Sequence, residues 1–231
     1  MKRFWKTAEA VAEGDGWGVR LDGKPLRTPG KAMLRVPTEA LGRAIADEWA
    51  SSAETIDRRA MPLTGLANIA IDRVAVDRAG FAADLAKYAE ADLACYRAAG
   101  PRTLVEWQTT SWDALLGWAR RRFDVDFVVT TEILHVAQPA ATVDRLAHEV
   151  AALDPFRLAG LSPLITIGGS LVAALAVLEG ALTTDQAWEA VSIDERWQIE
   201  KWGADAEAVA ALELRRADFF AAARFIALLG D

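Results

Sequence analysis

The chain has 231 residues, enough to bury a sizeable core and to form one large domain or two small ones. With 52% apolar and 26% charged residues it is too apolar for a disordered protein. The net charge of -7 disfavours nucleic acid as a partner, because nucleic acid requires clustered Lys and Arg, and the run Arg120-Arg121-Arg122 is too short to change this. The single cysteine, Cys95, excludes an intramolecular disulfide, and no apolar stretch follows the basic N-terminus, so a cytoplasmic location is expected.

The first 37 residues have the pattern of antiparallel strands. Trp17, Val19 and Leu21 alternate with smaller or polar residues, which is the period of a strand. Asp22-Gly23 predicts a hairpin turn, because both positions tolerate positive φ, and the return strand should lie at an edge because it contains Pro25. A third strand is predicted over residues 31–36.

From Thr38, a plausible N-cap, the apolar period becomes that of a helix. Leu41, Ile45 and Trp49 share one face of the first helix, and the predicted sheet is their expected cover. Further helices are predicted at about 64–76, 78–97, 104–123, 143–153, 170–178, 185–202 and 205–229. The fold class is therefore α+β, with a small domain of antiparallel strands and helices over residues 1–77 and an all-helical domain over residues 78–231.

The segment 159–178 contains no charged residue and is long enough to cross a bilayer. Pro163 and Gly168-Gly169 interrupt it, and its helical part after Gly169 is too short to span. A helix that is apolar all round is also typical of the centre of a helical domain, so we expect a core helix and no membrane insertion.

The residue types that carry chemistry do not converge in the sequence. His135 and His148 occur outside any metal-binding spacing, and no nucleophile elbow is present. The glycines of the segment 14–18 lead into a strand instead of a helix, so they indicate a hairpin loop and not a phosphate loop. Cys95 is expected to be a buried thiol. We therefore expect no enzyme activity, no metal and no cofactor.

Asp92 is the most unusual carboxylate, because it falls within the apolar stripe of a predicted helix. The stripe consists of Phe81, Leu85, Tyr88 and Tyr96. A buried acid requires a partner, for which Arg97 is available. An ion pair within the fold and an acid–base catalyst are the two interpretations.

The predicted helix 185–202 is apolar on two opposite sides. One side carries Trp188, Val191, Ile199 and Trp202, with Glu195 and Gln198 among them; the other carries Ile193 and Trp197, with Glu200 beside them. A helix that packs on one core should be polar on its other side. Either both sides are buried, or one is offered to a partner, and the chain's nine tryptophans fit the second alternative because Trp is enriched in binding hot spots.

Several short motifs, in a fixed order along nearly the whole chain, resemble one known family. They are Arg3-Phe4-Trp5-Lys6, Leu21-Asp22-Gly23-Lys24-Pro25-Leu26-Arg27-Thr28-Pro29, Glu48-Trp49, Met61-Pro62-Leu63-Thr64, Ala70-Ile71-Asp72, Tyr96-Arg97, Trp112-Asp113 with Leu115-Leu116, and Trp197-Gln198-Ile199-Glu200-Lys201-Trp202-Gly203. This set resembles the assembly chaperones of the ATP synthase F1 sector, the family that binds the α subunit before it joins β.

The resemblance implies a function as well as the α+β fold. A chaperone of this kind would cover the apolar surface of the unassembled α subunit until β replaces it, without nucleotide, metal or cofactor. We expect it to be soluble, monomeric when free, and cytoplasmic in a bacterium, whereas eukaryotic members are mitochondrial and carry a targeting extension that this chain lacks.

The expected partner-binding residues belong to the last helix before Gly203. They are Glu200, Trp197, Ile193, Trp202 and Glu195. Whether the face of Trp188 and Trp202 or the face of Ile193 and Trp197 meets the partner is left open, and no acid beyond Gly203 is assigned a role.

The alternative function is that of a hydrolase for a carbohydrate-like substrate, which would use two facing carboxylates in a cleft. Asp92 and Glu195 are the candidates for this pair, although the sequence gives no reason to place them together. A membrane-bound assembly factor is a third possibility that depends only on the segment 159–178.

Overall fold

A computed structural model describes residues 3–132 and 134–230. The chain divides into two compact units. The first consists of Met1–Arg78, Asp154–Gly160 and Arg224–Asp231, and the second of Ala79–Leu153 and Leu161–Ala223. The predicted division at residue 77 lies next to the end of the first of these segments. That residues 1–77 and 78–231 fold as independent domains stays a prediction.

The first unit contains a four-stranded antiparallel sheet. The strands are β1 (Ala8–Glu13), β2 (Gly16–Leu21), β3 (Lys24–Pro25) and β4 (Arg35–Val36). β2 is central, since it pairs with β1 along its whole length and with both β3 and β4. The predicted hairpin at Asp22-Gly23 is confirmed, with φ of 48° and 75° at the two turn positions. The strand predicted over residues 31–36 is reduced to β4.

Helix α1 (Glu39–Ser51) packs against this sheet. The predicted N-cap is confirmed, because Thr38 Oγ1 accepts a hydrogen bond from the Leu41 N–H at 3.2 Å. Gly42 lies where helix and sheet meet, and a Cβ there would lie only 3.0 Å from Trp17 Cβ. The absence of a side chain at Gly42 therefore lets α1 approach the sheet closely. Trp5 is buried beside Trp49, with ring centroids 5.0 Å apart.

Helix α2 (Pro62–Ile69) continues into a π-helical turn, Ala70–Val74, and its N-terminus is capped from α1. Glu48 accepts hydrogen bonds from the backbone N–H groups of Leu63 and Thr64, both at 2.8 Å, and from Thr64 Oγ1 at 2.7 Å. Because the first N–H groups of a helix have no partner within it, this carboxylate does the work of a cap residue.

The last part of the first unit comes from distant stretches of the chain. Thr38 Oγ1 donates a hydrogen bond to the Leu228 carbonyl at 2.6 Å. Phe156 stacks with Phe225, with centroids 6.5 Å apart. Gly160 lies so close to Ile226 that an added Cβ would come within 2.7 Å of its side chain. Residues 224–230 are therefore an integral part of the unit that begins near residue 3.

The remaining helices follow in chain order. They are α3 (Arg78–Ala86), α4 (Arg102–Phe123), α5 (Ala140–Ala151), α6 (Pro155–Gly168), α7 (Leu171–Leu178), α8 (Thr184–Val191), α9 (Ile193–Trp202) and α10 (Ala206–Ala227). The prediction of an α+β fold, with strands and helices first and helices thereafter, is confirmed. Among the described residues, no helix is both long enough and apolar enough to cross a membrane.

In the second unit, α4 and α7 form much of the core. Trp112, in the middle of α4, is buried and donates its Nε1–H to the Ala190 carbonyl at 2.8 Å. Every residue of α7 from Leu171 to Ala176 is buried, as expected for a core helix. The predicted interruption at Pro163 is wrong, because α6 continues through Pro163 and ends at Gly168.

The helix predicted over residues 78–97 is wrong beyond Ala86. The chain continues as two short 3-10 turns, Lys87–Glu90 and Leu93–Cys95, so Asp92 is not part of a helical stripe. Asp92 is fully buried, and its carboxylate accepts hydrogen bonds from the N–H groups of Ala94 at 3.0 Å and Val172 at 2.9 Å. It thus joins the second turn to the N-terminus of α7.

The expected partner of Asp92 pairs elsewhere. Arg97 forms an ion pair with Asp113 at 2.8 Å and donates to the Ala94 carbonyl. Asp92 is therefore stabilised by backbone N–H groups instead of an arginine, which is a common way to satisfy a buried carboxylate.

Candidate partner-binding site

The helix predicted over residues 185–202 is two helices, α8 and α9, and this changes which side chains share a face. They break at Ser192, whose φ of -110° and ψ of 18° lie outside the helical region. Its Oγ donates to the Trp188 carbonyl at 2.6 Å, which satisfies a backbone group at the end of α8. A single helical period over both segments therefore assigns the faces wrongly.

Ile193 and Trp197 are buried within the second unit, with 4% and 6% of their surfaces exposed. Trp197 Nε1 donates to Thr103 Oγ1 of α4 at 3.1 Å. Gln108, also on α4, donates to Asp194 Oδ1 at 2.7 Å. Of the two alternatives for this side of the helix, burial is the one observed, and these side chains hold α9 against α4.

Trp202, the last residue of α9, is 75% exposed. Its ring packs edge-on against Trp197, with centroids 5.5 Å apart, and Gly203 with φ of 88° ends the helix directly after it. The buried Trp197 thus supports an exposed tryptophan at the surface. A large apolar side chain held in this way has the character of a binding anchor.

The two predicted acids differ in their surroundings. Glu195 accepts a hydrogen bond from Arg215 Nη1 at 2.7 Å, and Arg215 also donates to the Ile167 carbonyl at 3.0 Å. Glu195 therefore helps to hold α10 in the unit. Glu200 is exposed and has only its neighbour Lys201, at 3.2 Å, as an ion-pair partner among the described residues. An exposed pair of this kind contributes little to stability, so Glu200 is free to exchange its partner.

Trp202 lines two hollows in the second unit. One, with a volume of about 250 Å³, is formed by Glu195, Gln198, Ile199, Trp202, Gly203, Asp205, Ala208, Ala211, Leu212 and Arg215. The other, of about 390 Å³, is formed by Tyr96, Arg97, Ala98, Gly100, Pro101, Leu104, Gln108, Asp194, Trp197, Gln198 and Trp202. At the end of α9, therefore, the exposed ring of Trp202 lies between two hollows of the surface.

The first half of α10 contributes to this site, although its sequence did not indicate a role. Ala208, Ala211 and Leu212 line the smaller hollow beside Trp202. Leu214 is exposed as well, but residues two apart in a helix lie on different faces, so Leu214 is not part of this hollow. Small alanines dominate the sequence before Leu212, so its pattern does not distinguish an apolar face from the rest of the helix.

In most of the family-like motifs, polar side chains form hydrogen bonds or ion pairs with residues of the same chain. The pairs are Asp22 with the N–H groups of Lys6 and Thr7, Asp72 with Thr28, Glu48 with Leu63 and Thr64, and Arg97 with Asp113. Each of these contacts stabilises the fold. In the motif at residues 197–203, Glu200 and Trp202 are exposed to solvent on the same helix end.

The two carboxylates considered for a hydrolase do not form a pair that a substrate could reach. Asp92 is fully buried, and Glu195 is paired with Arg215, so the carboxylates considered for a hydrolase do not face one another across a cleft. Burial, and next the charge of Asp92, raise the pKa of the Cys95 thiol to about 12, which keeps it protonated. Among residues 3–132 and 134–230, no cluster of three or more His, Cys, Asp or Glu could hold a metal ion.

Comparison with known proteins identifies the chain as a chaperone. The model of a family described as ATP12 chaperone protein matches residues 2–120. The chain belongs to the ATP12 chaperone family, the family of ATP synthase assembly chaperones that the motifs indicated. The prediction of a chaperone instead of an enzyme is confirmed by these names.

Relatives from a yeast and from bacteria extend over most of the chain. The mitochondrial protein atp12 of Schizosaccharomyces pombe is 24% identical over 217 residues, which cover 87% of this chain and 74% of the yeast protein. The crystal structure of Atp12 from Paracoccus denitrificans has 43% identity and a TM-score of 0.93, over 99% of this chain and 98% of that one. A structure from Agrobacterium tumefaciens has 36% identity and a TM-score of 0.94, over 99% of this chain and 86% of that one.

Proposed function

We propose that this protein binds the unassembled α subunit of ATP synthase through the end of α9 and the first half of α10. Trp202 would be the apolar anchor and Glu200 the adjacent charged contact. Bound in this way, the chaperone covers apolar surface of α until β displaces it. The same proposal includes a cytoplasmic location and a monomeric state of the free chaperone.

The observation that carries the proposal is the exposure of Trp202 beside concave surface. Removing a tryptophan of this size from water upon binding is worth several kcal/mol, of which part is spent on lost freedom of the partners. A charge at the rim, such as that of Glu200, sets the choice and orientation of the partner more than the affinity.

The other members of the predicted site act through Trp202 in this proposal. Ile193 and Trp197 fill the core behind α9, and Glu195 holds α10 beside it. We expect substitutions of these residues to lower folding stability and capture of α together. Substitutions of Trp202 and Glu200 should lower capture alone.

The first test is Trp202→Ala, with Phe4→Ala as its matched control. Phe4 is 72% exposed, nearly as much as Trp202, but belongs to the first unit. The measurement is the affinity for purified α subunit by biolayer interferometry, together with the melting temperature. Trp202→Ala should weaken binding at least about 30-fold, corresponding to about 2 kcal/mol, and Phe4→Ala should leave it within about 3-fold of the unchanged chaperone.

The second test is Glu200→Lys, with Asp144→Lys as a control because Asp144 is an exposed acid of α5. Glu200→Lys should melt at the normal temperature and capture less α than Asp144→Lys does. Equal capture by both variants would remove Glu200 from the site. If the unchanged chaperone does not bind α at all, the choice of partner is wrong, whatever the two variants do.

A further inference from the structure

A second apolar surface in the second unit is an open groove of about 660 Å³ between α4 and α8. One wall is a face of α4 with Trp107, Ser111, Ala114 and Trp118, spaced at intervals of three and four residues. From Trp107 to Trp118 this wall extends about 16 Å, or three helical turns. The groove is distinct from the two hollows beside Trp202.

The floor of the groove is apolar and its edges are open. Leu115 and Ala190 are buried at the floor, and Leu182 lies half-buried at one end. Gln186 and Glu189 form the edge on α8, and both are exposed. An open trough with an apolar floor is suited to a long ligand that lies along it, whereas a small molecule is normally enclosed on most of its surface.

Two arginines line the groove. Arg121 is on α4, where its guanidinium folds back to 3.5 Å from the Cβ position of Gly117, and Arg196 is on α9. Neither guanidinium forms an ion pair with a described residue; Arg196 only donates to the Glu189 carbonyl, at 3.3 Å. Glu189 is the one acid among the residues that line the groove, so this apolar trough carries a net positive charge in a chain of net charge -7.

We infer that this groove binds an amphipathic helix of the client protein, one that carries two acidic residues beside its apolar face. The inference deepens the proposed function, since the client is the subunit that this chaperone captures. Helix-in-groove recognition uses apolar anchors at helical spacing, which match the spacing of the two tryptophans on α4. The acids would meet Arg121 and Arg196 in charge-assisted hydrogen bonds, which are shorter and stronger than neutral ones.

The tryptophan wall sets the length of this helix. Trp107 and Trp118 are about 16 Å apart along α4, which corresponds to about three helical turns. A row of large apolar residues over about three turns, with two acids beside it, is therefore the expected signature of the bound segment.

The test uses the full-length chaperone and two synthetic helical peptides. The first carries leucines along one face over about three turns and two glutamates beside that face. The second is identical except that both glutamates are lysines. Fluorescence anisotropy should show at least about 10-fold tighter binding of the glutamate peptide, since like charges oppose the lysine peptide in the groove.

The chaperone variant Arg121→Glu with Arg196→Glu should lose this preference or reverse it, while Arg59→Glu, a change of an exposed arginine in the first unit, should retain it. The double variant should also capture less α subunit. Equal binding of the two peptides, or an unchanged preference in the double variant, would overturn the inference even if Trp202→Ala still abolishes capture of α.

Two further results would also overturn the inference. A groove that binds neither peptide is not a site for a helix of this kind. A change in oligomeric state of the double variant, measured by sedimentation, would show that a second copy of this chain covers the groove instead. Conversely, a clear charge preference without any capture of α by the unchanged chaperone would support the groove and refute the proposed partner.

Discussion

Replacing Asp92 by alanine tests whether this buried carboxylate is structural. In the folded protein it accepts hydrogen bonds from the N–H groups of Ala94 and Val172, at 3.0 and 2.9 Å. Asp92→Ala leaves both N–H groups buried without that acceptor, at a cost of about 1–3 kcal/mol each. Relief from burying the carboxylate offsets part of this cost. We expect the free energy of unfolding to fall by about 3 kcal/mol.

The assay is urea denaturation followed by circular dichroism, with Asp84→Ala as the control. Asp84 and its ion-pair partner Lys87, 2.7 Å away, are both exposed, so removal of Asp84 should cost less than about 1 kcal/mol. If Asp92→Ala costs no more than Asp84→Ala, the proposed role of Asp92 in holding α7 is refuted. Wild-type stability combined with a loss of α capture would instead assign Asp92 to function.

Three further predictions concern stability. Trp49→Arg places a charge beside the Trp5 ring, 5.0 Å away, and should lower the melting temperature strongly, at a cost of several kcal/mol; an unchanged melting temperature would show that the ring is not packed there. Glu48→Ala removes the cap of α2 and should cost about 2 kcal/mol more than the exposed change Asp47→Ala, by urea denaturation; equal costs would contradict the capping role. Burial raises the pKa of Asp92 above its ordinary 3.8, so the folded state favours the protonated form, and that contribution is lost as pH rises through the raised pKa. The stability of the wild type relative to Asp92→Asn should therefore decrease from about pH 4 to pH 7, and a difference independent of pH would argue against the raised pKa.

Local signals in the sequence predicted the elements that local interactions determine. The turn at Asp22-Gly23 depends on two residues that tolerate positive φ, and the start of α1 depends on the side chain of Thr38. Both are therefore visible within a few residues of sequence. The alternation of Trp17, Val19 and Leu21 likewise indicated the central strand.

Features that depend on distant partners were not predictable in this way. The break at Ser192 falls within an apolar pattern that continues across it. The hydrogen bond from Ser192 to the Trp188 carbonyl cannot be recognised from that pattern. Asp92 lies outside a helical stripe because its carboxylate accepts a hydrogen bond from α7, about eighty residues later in the chain. For the same reason, the sequence indicated Trp202 and Trp197 as site residues but did not show that one is exposed and the other buried.

The participation of residues 224–230 in the first unit affects how the protein is made. Thr38 and Leu228, which share a hydrogen bond, are 190 positions apart in the sequence. At a synthesis rate of about 5–20 residues per second, roughly 10–40 seconds separate the appearance of these two residues on the ribosome. The sheet and α1 are therefore synthesised early but complete their packing last, after the segment that contains Phe225 and Leu228 has emerged. Until then, the apolar side chains that residues 224–230 cover stay exposed on the nascent chain. This is the same kind of surface that we propose the finished protein covers on its client.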